Sequence, residues 1–152
     1  MYSTFPCDFV LPAEWEPQSA IMLTWPHADT DWKQYLRQIT NTYLELSEII
    51  TRFEHLLVVT PIVESTHKML SERLSSEQMK RVLLFEIDSN DTWARDHGPI
   101  TLISRNKQNS FIVPIHLLDF KFNGWGEKFA WQKDNAINLK LYYQGAFDAA
   151  LE

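Results

Sequence analysis

The chain has 152 residues, of which 45% are hydrophobic, so it carries enough apolar material for one core and we expect one domain. Its formal net charge of −6 and its lack of clustered Lys and Arg argue against general nucleic-acid binding. No apolar run approaches the length of a membrane span, and the N-terminus lacks the basic and apolar regions of a secretory signal, so we expect a cytoplasmic protein.

The first third of the chain predicts a strand followed by a long helix. Residues 20–25 form an apolar run that indicates a buried strand, which ends at Pro26 because proline has no N–H to donate to a sheet. Apolar residues then recur at three- and four-residue steps, which predicts a helix over 30–53 with Asp29 or Thr30 as its cap. We expect this apolar stripe to pack in the core: Trp32, Leu36, Ile39, Tyr43, Leu46, Ile50 and Phe53.

The rest of the chain continues the alternation and then adds a hairpin. A polar run at 105–109 lies between two apolar runs and suits the turn of a hairpin. His67 lies in a predicted helix, where we expect it to have no ligand role. This order of elements indicates mixed α/β packing with helices outside a sheet. The predicted ranges are strand 55–60, helix 63–74, strand 82–87, strands 99–104 and 110–115, and a helix from 131 or 132 through 141.

The segment from Asn90 to Pro99 is the most informative part of the sequence, since loops at strand ends often carry function. Trp93 can offer a π-face to a cation, and Asp96 can offer two planar acceptor oxygens to a guanidinium group. The segment therefore suits a pocket for a planar cation. The residues alone leave two alternatives open: Asp96 could cap a turn or pair with Arg95, and Trp93 could be an ordinary core residue.

Four segments, in the right order, resemble the agmatine deiminase and Porphyromonas-type peptidylarginine deiminase family. The resemblance runs from about Leu11 to about Leu141 and covers only the N-terminal part of the family's domain. Four ordered matches are far more specific than any one match alone. The matching segments are 11–17, Trp25-Pro26-His27 with Asp31-Trp32, 90–96 followed by Gly98-Pro99, and 122–126 with Lys128.

The resemblance implies the pentein fold, an α/β propeller of five ββαβ units with the active site on the pseudo-fivefold axis. This chain would supply roughly the first two units, so its expected fold class is a partial pentein. A partial propeller exposes apolar faces and strand edges that the other units would cover, so we expect the fragment to self-associate. We interpret residues 1–150 as the N-terminal part of a guanidine deiminase domain and residues 151–152 as a cloning remnant.

The resemblance also implies the chemistry: hydrolysis of agmatine to N-carbamoylputrescine and ammonia, a step in putrescine biosynthesis, or of arginine residues to citrulline. In this family a cysteine thiolate attacks the guanidinium carbon, a histidine transfers protons, two carboxylates hold the guanidinium, and no cofactor or metal takes part. Asp96 matches the first carboxylate, as a catalytic and substrate-binding residue, and Trp93 shapes the pocket. Asn123 and Trp125 line its far region, with the alternative that Trp125 only packs a loop. We favour agmatine over peptidyl arginine because the cytoplasmic location fits it better.

The family's nucleophile, histidine and second carboxylate have no match in this sequence, so we expect the fragment alone to be inactive. Its single cysteine, Cys7, precedes the first motif and has no cationic neighbour in sequence that would activate its thiol. The alternative to the enzyme interpretation is a non-catalytic binding or assembly module with a pentein-like fold.

Two residues depart from the family pattern. Glu127 stands where a second glycine is usual, so a side chain occupies a position where only glycine lets the backbone approach closely. His97 stands where an apolar or aromatic residue is common. It could tune Asp96 or face solvent, and we expect it to face solvent because neighbouring side chains point apart in a strand.

Overall fold

The computed structural model describes residues 9–104 and 115–152, which form two sheets and seven short or medium α-helices. The strands are β1 Phe9–Val10, β2 Ala20–Thr24, β3 His55–Thr60, β4 Val82–Glu86, β5 Ile100–Ser104, β6 Ile115–Leu118 and β7 Ala150–Leu151. The helices are α1 Leu36–Ile50, α2 Val63–Arg73, α3 Ser76–Met79, α4 Ala94–His97, α5 Gly124–Glu127, α6 Gln132–Asn135 and α7 Ile137–Tyr143. No helix within these ranges is long and apolar enough to cross a membrane.

The first sheet is parallel, with strand order β2-β3-β4, and the central strand β3 is buried on both faces. Such a strand reads as a continuous apolar run, which is why residues 55–60 were predictable. Because side chains alternate along a strand, Leu56 and Val58 join one hydrophobic cluster while Leu57 and Val59 join another. The first cluster contains Leu70 and Leu74 and packs against side chains of α1, and the second contains Ile137 and Leu141 of α7. Helices therefore cover both faces of this sheet.

The second sheet has the order β1-β5-β6-β7, and it confirms the predicted hairpin as an antiparallel β5–β6 pair. The described part of the second strand is Ile115–Leu118, and residues 110–114 of the range predicted for it lie outside the described residues. The predicted turn at 105–109 lies outside the described residues. Strand β7 pairs in parallel with β6, and Leu151 lies opposite Leu117. The backbone N–H of Glu152 donates to the carbonyl oxygen of Leu117, at 3.0 Å.

The long helix predicted over 30–53 is two elements, a 3₁₀ turn at Asp31–Tyr35 followed by α1. Thr30 occupies the cap position, but its hydroxyl donates to the carbonyl oxygen of His27, at 2.8 Å, and makes no cap hydrogen bond. The buried side of α1 is centred on Ser47, the one fully buried residue of this helix.

The predicted core stripe is confirmed only in part. Tyr43 and Ile50 pack against the first cluster, whereas Leu46 is 39% exposed and Phe53 is 78% exposed. Phe53 lies beyond the end of α1 at Ile50, and Leu46 lies roughly 100° around the helix from Ser47. The apolar arc is thus wider than the surface that the sheet offers to it.

The other helix predictions are confirmed with small changes. The range 63–74 is α2, on which His67 is exposed. The last predicted helix begins at Gln132 as expected, but it is interrupted at Ala136, so that α6 and α7 are separate. This interrupted segment holds the polar loops described below.

Candidate functional site

The predicted segment 90–99 follows β4 and connects the parallel sheet to the second sheet. It leaves the carboxyl end of a parallel strand, the edge of an α/β sheet where ligands commonly bind. Residues 94–97 form the single turn α4, and Gly98 then leads into β5. The segment was predicted as a loop between strands, and the helical turn inside it decides where its side chains point.

The carboxylate of Asp96 is exposed on α4. Within residues 9–104 and 115–152 it makes no hydrogen bond and no ion pair, so neither the expected alternative of a pair with Arg95 nor that of a turn cap is observed. Its backbone N–H donates to the carbonyl oxygen of Trp93, at 2.9 Å. No described residue thus occupies the two carboxylate oxygens of Asp96, and both are available to a ligand.

The indole of Trp93 is 48% exposed, so it is not a core residue. Its Nε1–H donates to Oδ2 of Asp91 at 3.1 Å, and its ring centroid lies 6.4 Å from that of Trp32. The Trp32 Nε1–H in turn donates to Oγ1 of Thr92, at 2.8 Å. Hydrogen bonds therefore fix the orientation of an indole face that remains open to solvent.

The backbone that precedes Trp93 is held by a buried carboxylate from a distant part of the chain. Oδ1 of Asp134, a residue that is 3% exposed, accepts the backbone N–H of Asn90 at 2.6 Å and that of Asp91 at 3.3 Å. Burial raises the pKa of the Asp134 carboxyl, and burial also raises the pKa of Asp91. Sequence reasoning missed Asp134 because no local pattern marks a residue whose partners lie 43 and 44 positions earlier.

His97 is buried rather than solvent-facing, so that expectation was wrong. It is 2% exposed, and its Nε2 lies 3.2 Å from Oγ1 of Thr24 at the end of β2. The expectation assumed an extended strand, but in a helical turn residue 97 projects about 100° away from residue 96. Burial lowers the pKa of His97 to about 4, so the ring is neutral at pH 7. The backbone carbonyl of His97 accepts a hydrogen bond from Nδ2 of Asn138, at 2.6 Å.

The segment that contains Asn123 and Trp125 forms a left-handed turn. All four residues of α5 have positive φ, between 56° and 81°, including the non-glycine residues Trp125 and Glu127. A left-handed conformation costs about 1–2 kcal/mol at each non-glycine residue. Oδ1 of Asn123 accepts the backbone N–H of Gly126 at 3.0 Å, which stabilises the turn. Glu127 thus adopts the backbone conformation that a glycine would adopt with less strain.

The ring of Trp125 packs edge-on against Phe122 and Phe129, with centroid distances of 5.4 and 5.6 Å. It nevertheless remains 54% exposed. The loop-packing alternative therefore describes part of its surroundings, and more than half of the side chain is left for other contacts. Gly124 must remain glycine here, because an added Cβ would lie 2.5 Å from the carbonyl oxygen of Phe129.

In the described part of the chain, no hydrogen bond or ring contact joins Trp93 or Asp96 to Asn123 or Trp125. The two candidate segments share a support instead. Asp134 and Asn138 hold the first segment, and Oδ1 of Asn135 accepts the backbone N–H of Phe122 at 2.8 Å, which holds the second.

A separate groove of about 400 Å³ lies at the carboxyl ends of β2, β3 and β4. Its lining includes His27, whose Nδ1 accepts the backbone N–H of Asp29 at 3.3 Å and whose Nε2 therefore carries the proton toward Oγ of Ser89, at 3.1 Å. The predicted residues Trp93, Asp96, Asn123 and Trp125 do not line this groove. Across the residues that the structure describes, no three His, Cys, Asp or Glu side chains are grouped so as to hold a metal ion, and Cys7 lies outside them.

Comparison with known proteins gives consistent matches along almost the whole chain. A family model described as Porphyromonas-type peptidyl-arginine deiminase matches residues 10–150. A curated protein of Shewanella frigidimarina (strain NCIMB 400), named "Putative agmatine deiminase", is 29% identical over 145 residues, and the match covers 92% of this chain and 36% of that protein. The chain thus spans little more than a third of the length of the curated relatives it matches.

Solved structures give the same result. The agmatine deiminase of C. jejuni with substrate bound is 32% identical and superposes with a TM-score of 0.77, over 95% of this chain and 39% of that one. A structure from Porphyromonas gingivalis, named "Putative Arginine Deiminase", is 38% identical with a TM-score of 0.75, over 95% of this chain and 40% of that one. The described residues therefore adopt the architecture of one part of those proteins.

Proposed function

Because the chain belongs to the Porphyromonas-type peptidyl-arginine deiminase family, we propose that residues 1–150 form the N-terminal part of a guanidine deiminase that hydrolyses agmatine to N-carbamoylputrescine and ammonia. The family is a family of hydrolases, and the partial pentein fold expected from the four motifs is confirmed by the structural matches.

The observation that carries the proposal is the exposed carboxylate of Asp96, three residues after Trp93, whose half-exposed indole is held by Asp91. In the proposed complex, the two oxygens of Asp96 accept N–H groups of the substrate guanidinium, which holds the planar cation in line for attack at its carbon. The indole of Trp93 supplies a π-face for the same cation. Asp91 keeps that face in place through its hydrogen bond to Nε1, so the pocket wall is ordered before the ligand arrives.

Asn123 and Trp125 are proposed to line the far region of the pocket. The left-handed turn supports this role, because strained backbone at non-glycine residues is concentrated at functional sites. The exposed surface of Trp125 would contact the aliphatic carbons of the substrate, while the amide of Asn123 maintains the turn.

Agmatine is favoured over peptidyl arginine as substrate. Agmatine carries an amine at its far end, whereas a C-terminal peptidyl arginine carries a carboxylate there that needs a cation. The surroundings of Trp93 are acidic, since Asp31 lies close enough to Asp91 to raise the pKa of that carboxyl further. A doubly cationic substrate fits these acidic surroundings better than one that carries a carboxylate, and the expected cytoplasmic location also favours agmatine.

The chain alone is proposed to bind the guanidinium group without hydrolysing it, since Asp96 is the only one of the family's catalytic groups that has a match in this sequence. Ammonia release from agmatine by the purified chain, abolished by Cys7→Ser, would contradict this. A stop codon of the natural gene near residue 150 would favour the binding or assembly module instead.

Titration of the purified chain with agmatine tests the proposal. The chain has six tryptophans, and the indole N–H resonance of Trp93 can be assigned with Trp93→Phe. We expect agmatine to shift this resonance and putrescine, which lacks the guanidinium group, to leave it in place. Asp96→Asn should weaken the agmatine response at least tenfold, and Glu64→Gln, which removes an exposed negative charge from α2, should not. Equal responses of the two variants would overturn the assignment of Asp96.

A further inference from the structure

We infer that Asp134 is a positioning residue for the guanidinium site: its buried carboxylate fixes the backbone of Asn90 and Asp91 and thereby sets the orientation of the Trp93 indole. This inference rests on the proposed function for its meaning, because Trp93 and Asp96 are the groups that would contact the substrate. Asp134 itself would not contact the substrate.

The first step is a reciprocal clamp between α6 and the segment after β4. Oδ1 of Asp134 accepts two successive backbone N–H groups, from Asn90 at 2.6 Å and Asp91 at 3.3 Å. In the opposite direction, the backbone N–H of Lys133 donates to Oδ1 of Asn90, at 2.8 Å. Bonds that run both ways between the same two segments fix their relative position more strongly than either bond alone.

The second step carries the constraint from the backbone to the indole. With its N–H held by Asp134, Asp91 uses Oδ1 to accept the N–H of Thr92 at 2.8 Å and Oδ2 to accept Nε1–H of Trp93 at 3.1 Å. Rotation of the Asp91 carboxylate would break both bonds. The position of the Trp93 ring therefore depends on the position of the Asp91 backbone, which depends on Asp134.

The burial of the Asp134 carboxylate costs free energy. A carboxylate that is 3% exposed loses most of its hydration, and burial accordingly raises the pKa of Asp134. Among the described residues no ion pair compensates it, although the nearby charge of Lys133 acts in that direction. An apolar side chain of similar size would avoid this cost but would leave two backbone N–H groups without an acceptor. The cost of burying this carboxylate is explained if the role of Asp134 is to hold the backbone of residues 90–93 in one geometry.

The test compares Asp134→Ala with Asp134→Asn in the ¹⁵N-labelled chain. We expect D134A to shift the indole N–H resonance of Trp93 and the amide resonances of residues 90 and 91, and to weaken agmatine binding at least tenfold. D134N keeps an acceptor oxygen and should recover most of both properties. Thr66→Ala is the matched control. It removes a buried hydrogen bond to Thr60 on the face of the parallel sheet opposite to α7, and it should leave the Trp93 resonance and the affinity unchanged.

An unchanged Trp93 resonance and unchanged affinity in D134A would overturn the inference. If the unmodified chain does not bind agmatine, the proposed function fails, while the resonances of Trp93 and residues 90 and 91 still decide whether Asp134 fixes the loop. If D134A does not fold, the pH dependence of the Asn90 amide resonance decides the matter: it should follow the titration of Asp134 in the unmodified chain and lose that step in D134N. The same titration in both proteins would overturn the inference.

Discussion

Acidification should destabilise the fold through His97, and the size of the effect follows from its burial. The pKa of His97 is about 4 in the folded chain, against an ordinary value of 6.5 that we assign to the unfolded chain. Between these values the unfolded chain binds a proton that the folded chain does not. The stabilising contribution is therefore present above about pH 6.5, decreases as the pH falls from 6.5 towards 4, and is fully lost below about 4.

The expected loss at one site can be stated as a number. Integration of the proton-binding difference gives a decrease of about 2 kcal/mol in the free energy of unfolding between about pH 7.5 and about pH 5, and a limit of about 3 kcal/mol below pH 4. Urea denaturation at 25 °C, at these two pH values, measures the decrease. His97→Gln keeps a polar side chain beside Thr24 but cannot titrate, so its decrease should be smaller by about 2 kcal/mol.

The difference between the two proteins isolates His97 from the carboxyl groups. Burial raises the pKa values of Asp91 and Asp134, so their contribution becomes more favourable as the pH falls, and this change is common to both proteins. His67→Gln, on the exposed surface of α2, should show the full decrease of the unmodified chain. If H97Q loses as much stability as H67Q between the two pH values, the reasoning about the buried ring is refuted.

Three further predictions concern backbone strain and exposed apolar surface. Gly124→Ala should lower the free energy of unfolding by at least about 2 kcal/mol, because it adds both left-handed strain and a clash, whereas Gly145→Ala, with the same sign of φ and open space around the added Cβ, should lose only about 1 kcal/mol in the same urea assay. Glu127→Gly should stabilise the chain by up to about 1 kcal/mol in that assay, as strain relief exceeds the added backbone entropy, and a loss of stability would contradict the strain argument. Sedimentation velocity should show concentration-dependent self-association, because large apolar side chains are exposed, among them Trp15, Phe53 and Tyr143. A monodisperse monomer at all concentrations would contradict this prediction.

The elements that could be predicted from the sequence are those whose signal is local. Strand β3 is a continuous apolar run bounded by polar residues, and its predicted bounds agree with the structure. Helix α1 was predicted as an element, but the width of its buried side was not, because the contact surface of the sheet and not the apolar arc alone determines which residues are covered. Leu46 was misassigned for this reason, whereas Phe53 was misassigned because the helix ends at Ile50.

The candidate site divides in the same way. Trp93 and Asp96 could be identified because they lie within one short motif, and the motif survives as a contiguous segment in the fold. The burial of His97 depends on a helical turn of four residues, too short to leave a periodic signal, and on contact with Thr24, 73 positions earlier. Asp134 has no distinguishing neighbour in sequence, and its role exists only once α6 lies beside the segment after β4.

The interrupted helical segment α6–α7 has a mechanical consequence. Three of its side chains, Asp134, Asn135 and Asn138, are bonded to two stretches of backbone that are distant from each other in sequence. When thermal motion displaces this segment relative to the sheet, both stretches are carried with it. The distance between the two stretches should therefore fluctuate less than the position of either one. A ligand that contacts both would bind between two surfaces that move together.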